Sequence, residues 1–209
     1  MNYTELVAAS IAYADRQDIE VSENMDTFIL LAEARINRVL KTREQSVRAT
    51  VQTVTDQEFF ALPPDYAGMR DIHLNYTSDS GESKQAQYNL LNPEQLTGRA
   101  QGWPNENANY YQIIANQFKI TPAIDTGSSI EITYYQKVPN LNAVAADNWL
   151  SISHPDIYLC GMTSEIELFA KNYDAAQGWQ SRMSTAIGEL DNTDVVERWS
   201  GAPMQTRVG

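Results

Sequence analysis

The sequence predicts an α+β fold, a small helical bundle made by the N- and C-terminal helices with a β-rich insertion sub-domain between them. Three observations carry this expectation. Apolar residues recur at steps of three and four near both ends, they alternate with polar residues through the middle, and Pro, Gly and Asn stand where the period changes.

Asn2, with Glu5 three positions on, has the pattern of a capping box, and Leu6, Val7, Ile11 and Ala14 then share one face of a first helix. From Asn24, read as an N-cap, Phe28, Leu31, Ala32, Ile36, Val39 and Leu40 form the apolar stripe of a second helix. Glu33, Arg35 and Arg38 are set mostly away from that stripe. Past Lys41 the period becomes two: Val47, Ala49 and Val51 alternate with Arg48, Thr50 and Gln52, as in a strand with one wet face.

The β pattern runs on through Phe59-Phe60-Ala61-Leu62, breaks at Pro63-Pro64-Asp65, resumes from Met69 to Tyr76 and ends in the polar turn from Thr77 to Gly81. Leu91 to Leu96 reads as a short helix with Pro93 in its first turn. Tyr110 to Ile114 and Phe118 to Ile120 read as a hairpin closed by Ala115-Asn116-Gln117. Ile130, Ile132 and Tyr134, alternating with Glu131, Thr133 and Tyr135, form a strand that stops at Pro139.

Beyond Asn148 the period is helical again. Tyr158, Met162, Ile166 and Phe169 make one stripe, and after a break near Asn172, Ala176, Trp179, Met183, Ile187 and Leu190 make another. Short helices cannot bury an apolar stripe alone. Residues 1–43 and 140–199 are therefore expected to pack together as the helical core, with the β-rich insertion at 44–139 projecting as a sub-domain. Residues 200–209, without periodicity, form a tail that is free unless a partner holds it.

At 209 residues, 43% of them hydrophobic, a chain of this size buries roughly 70% of its unfolded surface and needs no disulfide or metal to fold. No apolar run approaches the ~20 residues that span a bilayer, and the N-terminus has no basic leader ahead of an apolar core, so a soluble compartment is expected. A single cysteine forms no internal disulfide, and the sequons at Asn2 and Asn75 read as chance. The net charge of −12 opposes binding to a phosphate backbone, which rests on Lys and Arg displacing counterions.

The stretch NWLSISHPDIYLCG, Asn148 to Gly161, holds the lone cysteine and one of two histidines. A Cys/His dyad needs hydrogen-bond reach and a setting that lowers the thiol pKa, yet Cys160 stands six positions after His154, most of two helical turns on. A helix entrance explains more of the residues: Ser153 or His154 at the boundary, Pro155 in the first turn, Asp156 at the positive end of the dipole. His73, in a strand-like segment, reads as a satisfied structural histidine, and Gly102-Trp103-Pro104 as a turn. Glu189, Asp191, Asp194 and Glu197 read as a solvated helix face, because they lack the order of a calcium loop. Trp149, Tyr158, Phe169 and Trp179 read as core rather than a ligand cage. No zinc, nucleophile-elbow or phosphate-loop motif is present, so no catalytic, cofactor or metal residue is assigned. A hydrolase using His73, His154 and nearby carboxylates finds no supporting pattern.

The layout resembles the phage adaptor proteins, the small head-to-tail connector subunits beneath the portal of tailed bacteriophages. The resemblance rests on Tyr3-Thr4-Glu5-Leu6, the run from Phe28 to Leu40 with its AEARINR core, Leu62-Pro63-Pro64-Asp65-Tyr66, Ile130-Glu131-Ile132-Thr133-Tyr134-Tyr135 with Val138-Pro139, and NWLSISHPDIYLCG with Trp179 downstream. Two positions depart from it: Ala115-Asn116 replaces a glycine-bearing hairpin turn, and His154 stands where tyrosine is common.

The resemblance implies a structural, non-enzymatic subunit of a dodecameric ring at the virion neck, made in the bacterial host cytoplasm. Its implied partners are the portal protein, a tail or nozzle protein and neighbouring adaptor subunits. DNA would pass through the bore without specific binding, and no membrane is involved. An acidic wall suits such a conduit, and the tail offers Trp199, Met204 and Arg207 as anchor-type side chains for a partner interface. The alternative is a non-virion assembly factor or small binding module.

Overall fold

The structure is a computed structural model that describes residues 1–54, 57–77, 81–92, 109–124 and 128–199. The chain divides into two compact units, residues 1–43 with the chain from Val138 onward, and Glu44–Lys137.

The first unit is helical. Helix α1 (Tyr3–Ala14) opens with the expected capping box: the Asn2 side chain accepts the Glu5 N–H and the Glu5 carboxylate accepts the Asn2 N–H, both at 2.9 Å. Leu6 and Ala14 are buried as expected, with Ser10 between them donating its hydroxyl to the Leu6 carbonyl at 2.8 Å, whereas Val7 and Ile11 are half-buried. A short helix α2 (Ile19–Glu23) follows, then α3 (Met25–Val39). Asn24 precedes α3 without capping it, because its side-chain amide instead donates to the Glu20 carbonyl at 2.8 Å.

The buried stripe of α3 is Met25, Phe28, Ile29, Ala32, Glu33 and Ile36, while Leu31 and Val39 point outward at 46% and 53% exposure. With 100° per residue, Ile29, Ile36 and the flanking Leu40 set the direction of the core and Leu31 falls on the opposite side; Val39 lies between Ala32 and Phe28 by angle, and is exposed as the last residue of the helix. Glu33 falls on the core side and is 2% exposed, contrary to its expected outward position.

Helix α4 (Trp149–Ser153) leads into α5 (Pro155–Phe169) and α6 (Tyr173–Trp199). Helix α5 is central: α1, α3, α4 and α6 all pack on it, and it is buried almost all round from Ile157 to Glu167. Its Gly161 lets α3 and α6 approach, since an added Cβ would stand 3.1 Å from the Ala32 Cβ and 3.4 Å from the Met183 Sδ. Tyr158, Met162 and Ile166 are fully buried, as are Ala176 and Met183 of α6. Phe169, expected in the core, is 46% exposed and meets Phe28 edge-on at 5.5 Å. The break between α5 and α6 is a left-handed Lys171, φ 60°.

Among the described residues, the second unit holds two four-stranded sheets. One has the order β1 (Ser46–Gln52), β8 (Ser129–Gln136), β3 (Tyr66–Thr77), β4 (Ser83–Gln87), all antiparallel. The other has β2 (Gln57–Ala61), β7 (Gln117–Ile124), β6 (Tyr110–Ile114), β5 (Asn89–Leu90), with β5 parallel to β6.

Period two does its work here. Ile72, Leu74, Ile130, Ile132 and Tyr134 from one sheet, and Phe60, Tyr111, Phe118 and Ile120 from the other, form a single core in which Phe60 stacks on Phe118 at 5.3 Å. The hairpin turn is two residues, Ala115-Asn116, because Gln117 already pairs with Ile114; Ala115 takes φ 52°. The turn ahead of β3 is tied to β8: Tyr134 donates to the Asp65 carboxylate at 3.0 Å and Lys137 N–H to the Asp65 carbonyl at 2.7 Å. Burial, with Asp65 adding to it, pushes the Tyr134 hydroxyl up to about 12.

The helix expected at 91–96 lies, from Pro93 on, outside the described residues, as do the Gly102-Trp103-Pro104 turn and most of the turn before Gly81. Among the described residues no helix is long and apolar enough to cross a membrane.

Candidate partner interface

NWLSISHPDIYLCG builds two successive helix starts. Asn148 caps α4: its side chain accepts the Ser151 N–H at 2.8 Å while the Ser151 hydroxyl accepts the Asn148 N–H at 3.0 Å. His154 ends α4 and begins α5 without a side-chain cap bond, and Pro155 takes the first turn, where a missing N–H does no harm. Cys160 lies inside α5 and is buried; burial, with Asp156 adding to it and Arg182 opposing, pushes its thiol up. That is the reverse of what a nucleophile needs. In the β unit, His73 Nε2 rests 2.7 Å from the Asp71 carboxylate on the same strand.

The acidic residues of α6 are not a plain solvated face. Asp194 is 7% exposed and accepts the Arg43 main-chain N–H at 2.9 Å, and Glu197 accepts the Arg43 guanidinium at 2.5 Å. Among the described residues no group of three or more His, Cys, Asp or Glu is placed to hold a metal ion.

Three of the segments on which the resemblance rests, residues 28–40, Val138-Pro139 and residues 148–161, meet in a largely buried polar network. The chain re-enters the helical unit at Val138, whose N–H donates to Asn37 Oδ1 at 2.8 Å. Three residues on, Leu141 N–H donates to Glu33 Oε1 at 2.6 Å, and that same oxygen accepts the Tyr158 hydroxyl at 3.1 Å. Asn148 closes the set, giving its amide protons to the Pro139 carbonyl at 2.7 Å and to the Tyr158 oxygen at 2.8 Å. Burial raises the Glu33 carboxyl, opposed by the bonds from Leu141 and Tyr158. Burial and the nearby Glu33 charge raise the Tyr158 hydroxyl. Arg35 adds an ion pair to Glu165 of α5 at 2.8 Å.

This network holds the returning chain against α3 and α5. Glu33 and Asn37 escaped the sequence reading, although Glu33 stands in phase with Ile29, Ile36 and Leu40, and a carboxylate at a core position demands buried donors.

The helical unit also presents large apolar side chains to solvent. Leu30, Leu31 and Val39 of α3 are 56%, 46% and 53% exposed, and Phe169 and Tyr173 at the α5–α6 junction are 46% and 66% exposed. Of the expected anchors, Trp199 is the last residue of α6, and Met204 and Arg207 lie outside the described residues.

A family model described as SU10 adaptor protein matches residues 1–207. A search of curated proteins finds no match.

Proposed function

The chain belongs to the SU10 adaptor protein family, and from that premise we propose that it is a structural subunit of the virion neck of a tailed bacteriophage. Its copies close into a ring, dodecameric to match the portal, that joins the portal to the tail or nozzle and surrounds the path of the genome. The observation that carries this reading is the match over residues 1–207, which takes in both the helical and the β-rich unit.

Two features support it. A ring subunit offers two different surfaces to its two neighbours, and heterologous contacts close when the rotation per copy divides a full turn; the adjacent exposed residues Leu30 and Leu31 of α3 suit such a surface. The net charge of −12 suits a conduit along which DNA slides without sticking, since like charges repel at close range. In this reading the tail at 200–209, with Trp199, Met204 and Arg207, orders against the portal on docking.

Native mass spectrometry of the protein with the portal protein encoded alongside it, against the protein alone, tests the proposal. A complex with one copy per portal chain is expected. A protein that stays free at micromolar concentration overturns it and leaves a non-virion assembly factor.

A further inference from the structure

We propose that Arg43 is a positioning residue for the C-terminal segment: it holds the last turns of α6 and so fixes the point from which the docking tail leaves the fold. The inference rests on reading that tail as the portal-docking segment.

Over the described side chains of α6, which run to Glu197, Ile187 is the last buried apolar residue and Leu190 packs partly against the core, whereas Val195 and Val196 are 52% and 67% exposed. From Asp191 to Glu197 the one buried residue is Asp194. A helical extension without apolar packing is marginal and frays from its end.

Here a polar clamp replaces the packing. Asp194 and Glu197, three residues apart on one helix face, both bond Arg43, the first through its main-chain N–H and the second through its guanidinium. Arg43 is a firm anchor because it follows Leu40 and Thr42, which are 0% and 2% exposed, and begins a short 3-10 turn over Arg43–Gln45. A cation at the C-terminal end of α6 also meets the negative pole of the helix dipole.

The test compares four proteins for binding to the purified portal: the full chain, a chain ending at Trp199, Arg43→Ala and Asp194→Ala. Amide exchange is measured over 191–197, with 157–166 as the internal control. The expected result is roughly tenfold faster exchange over 191–197 in Asp194→Ala and roughly twofold in Arg43→Ala, which loses only an exposed ion pair, with an unchanged control and portal binding weakened in the same order, because ordering shifts from folding to docking. The main-chain bond to Asp194 survives any of these changes at position 43, so Arg43→Lys, which restores the charge opposite Glu197, recovers part of the Arg43→Ala loss. Protected 191–197 amides in both variants overturn the clamp. Lost protection with full portal affinity, while truncation at Trp199 abolishes binding, overturns the positioning role alone. Unchanged binding by the truncated chain overturns the docking tail, and the positioning role with it.

Discussion

Glu33 on α3 and Leu141 on the returning chain are joined by a 2.6 Å bond from the Leu141 N–H to the Glu33 carboxylate, across 108 positions of sequence. Both residues are buried, at 2% and 4% exposure. Removing the carboxylate strands the Leu141 N–H and leaves Tyr158 short of one acceptor. Glu33→Ala is expected to cost about 2–4 kcal/mol, a fall in melting temperature of roughly 5–15 °C at this chain length, read by thermal unfolding.

The same site has a pH signature. Burial raises the folded pKa of Glu33, so the folded chain holds this proton more tightly than the unfolded chain does. The resulting stability is fully present below the unfolded pKa and is lost as pH rises through the folded one. Relative to Glu33→Gln, the wild type is therefore expected to gain stability as pH falls from 7 into the carboxylate range. Parallel stability curves from urea unfolding across that range would remove Glu33 as the cause.

Ala115 occupies the left-handed region at φ 52° in the β6–β7 turn, where a Cβ costs about 1–2 kcal/mol that glycine escapes. Ala115→Gly is expected to stabilise the chain by roughly 0.5–1 kcal/mol after the entropy of the freer unfolded chain is subtracted. A lower melting temperature in the variant would contradict this.

Gly161 sets the spacing of three helices. Ala would raise helix propensity by about 1 kcal/mol, yet its Cβ would stand 3.1 Å from the Ala32 Cβ, which is fixed to the backbone of α3. Gly161→Ala is expected to be net destabilising by about 1–2 kcal/mol. Ala32→Gly in the same chain should return part of that loss, so a double-mutant cycle would show non-additivity at this contact.

Leu31 is 46% exposed on α3. Leu31→Asp is expected to leave the unfolding free energy of the isolated subunit within about 0.5 kcal/mol while stopping assembly on the portal, read by native mass spectrometry. Full assembly of the variant would move the subunit contact elsewhere.

Where packing follows the chain's own period, the fold was legible in the sequence. The alternation of Ile130, Ile132 and Tyr134 placed β8, and the steps Tyr158, Met162, Ile166 placed the core of α5. Legibility failed where a polar residue takes a core position. Glu33 reads as surface by residue type, and the donors that make its burial tolerable sit at Leu141 and Tyr158, which no local pattern links to it. Asp194 is the same case, its partner Arg43 lying 151 positions away. Leu31 and Val39 failed in the opposite sense, since apolar type alone does not tell a core stripe from an exposed one.

The division of the helical unit between residues 1–43 and the chain from Val138 onward has a consequence for synthesis. A ribosome delivers α1 to α3 first, and their partner α5 arrives only after the whole of Glu44–Lys137 has emerged. The β-rich unit, contiguous in sequence, can finish folding on the nascent chain, as domains generally do as units. The N-terminal helices must meanwhile wait with Leu6, Phe28, Ile29 and Ile36 uncovered. A complete helical unit thus appears only once translation has passed α5, so the order of synthesis delays the core of this unit until after the β-rich unit has emerged.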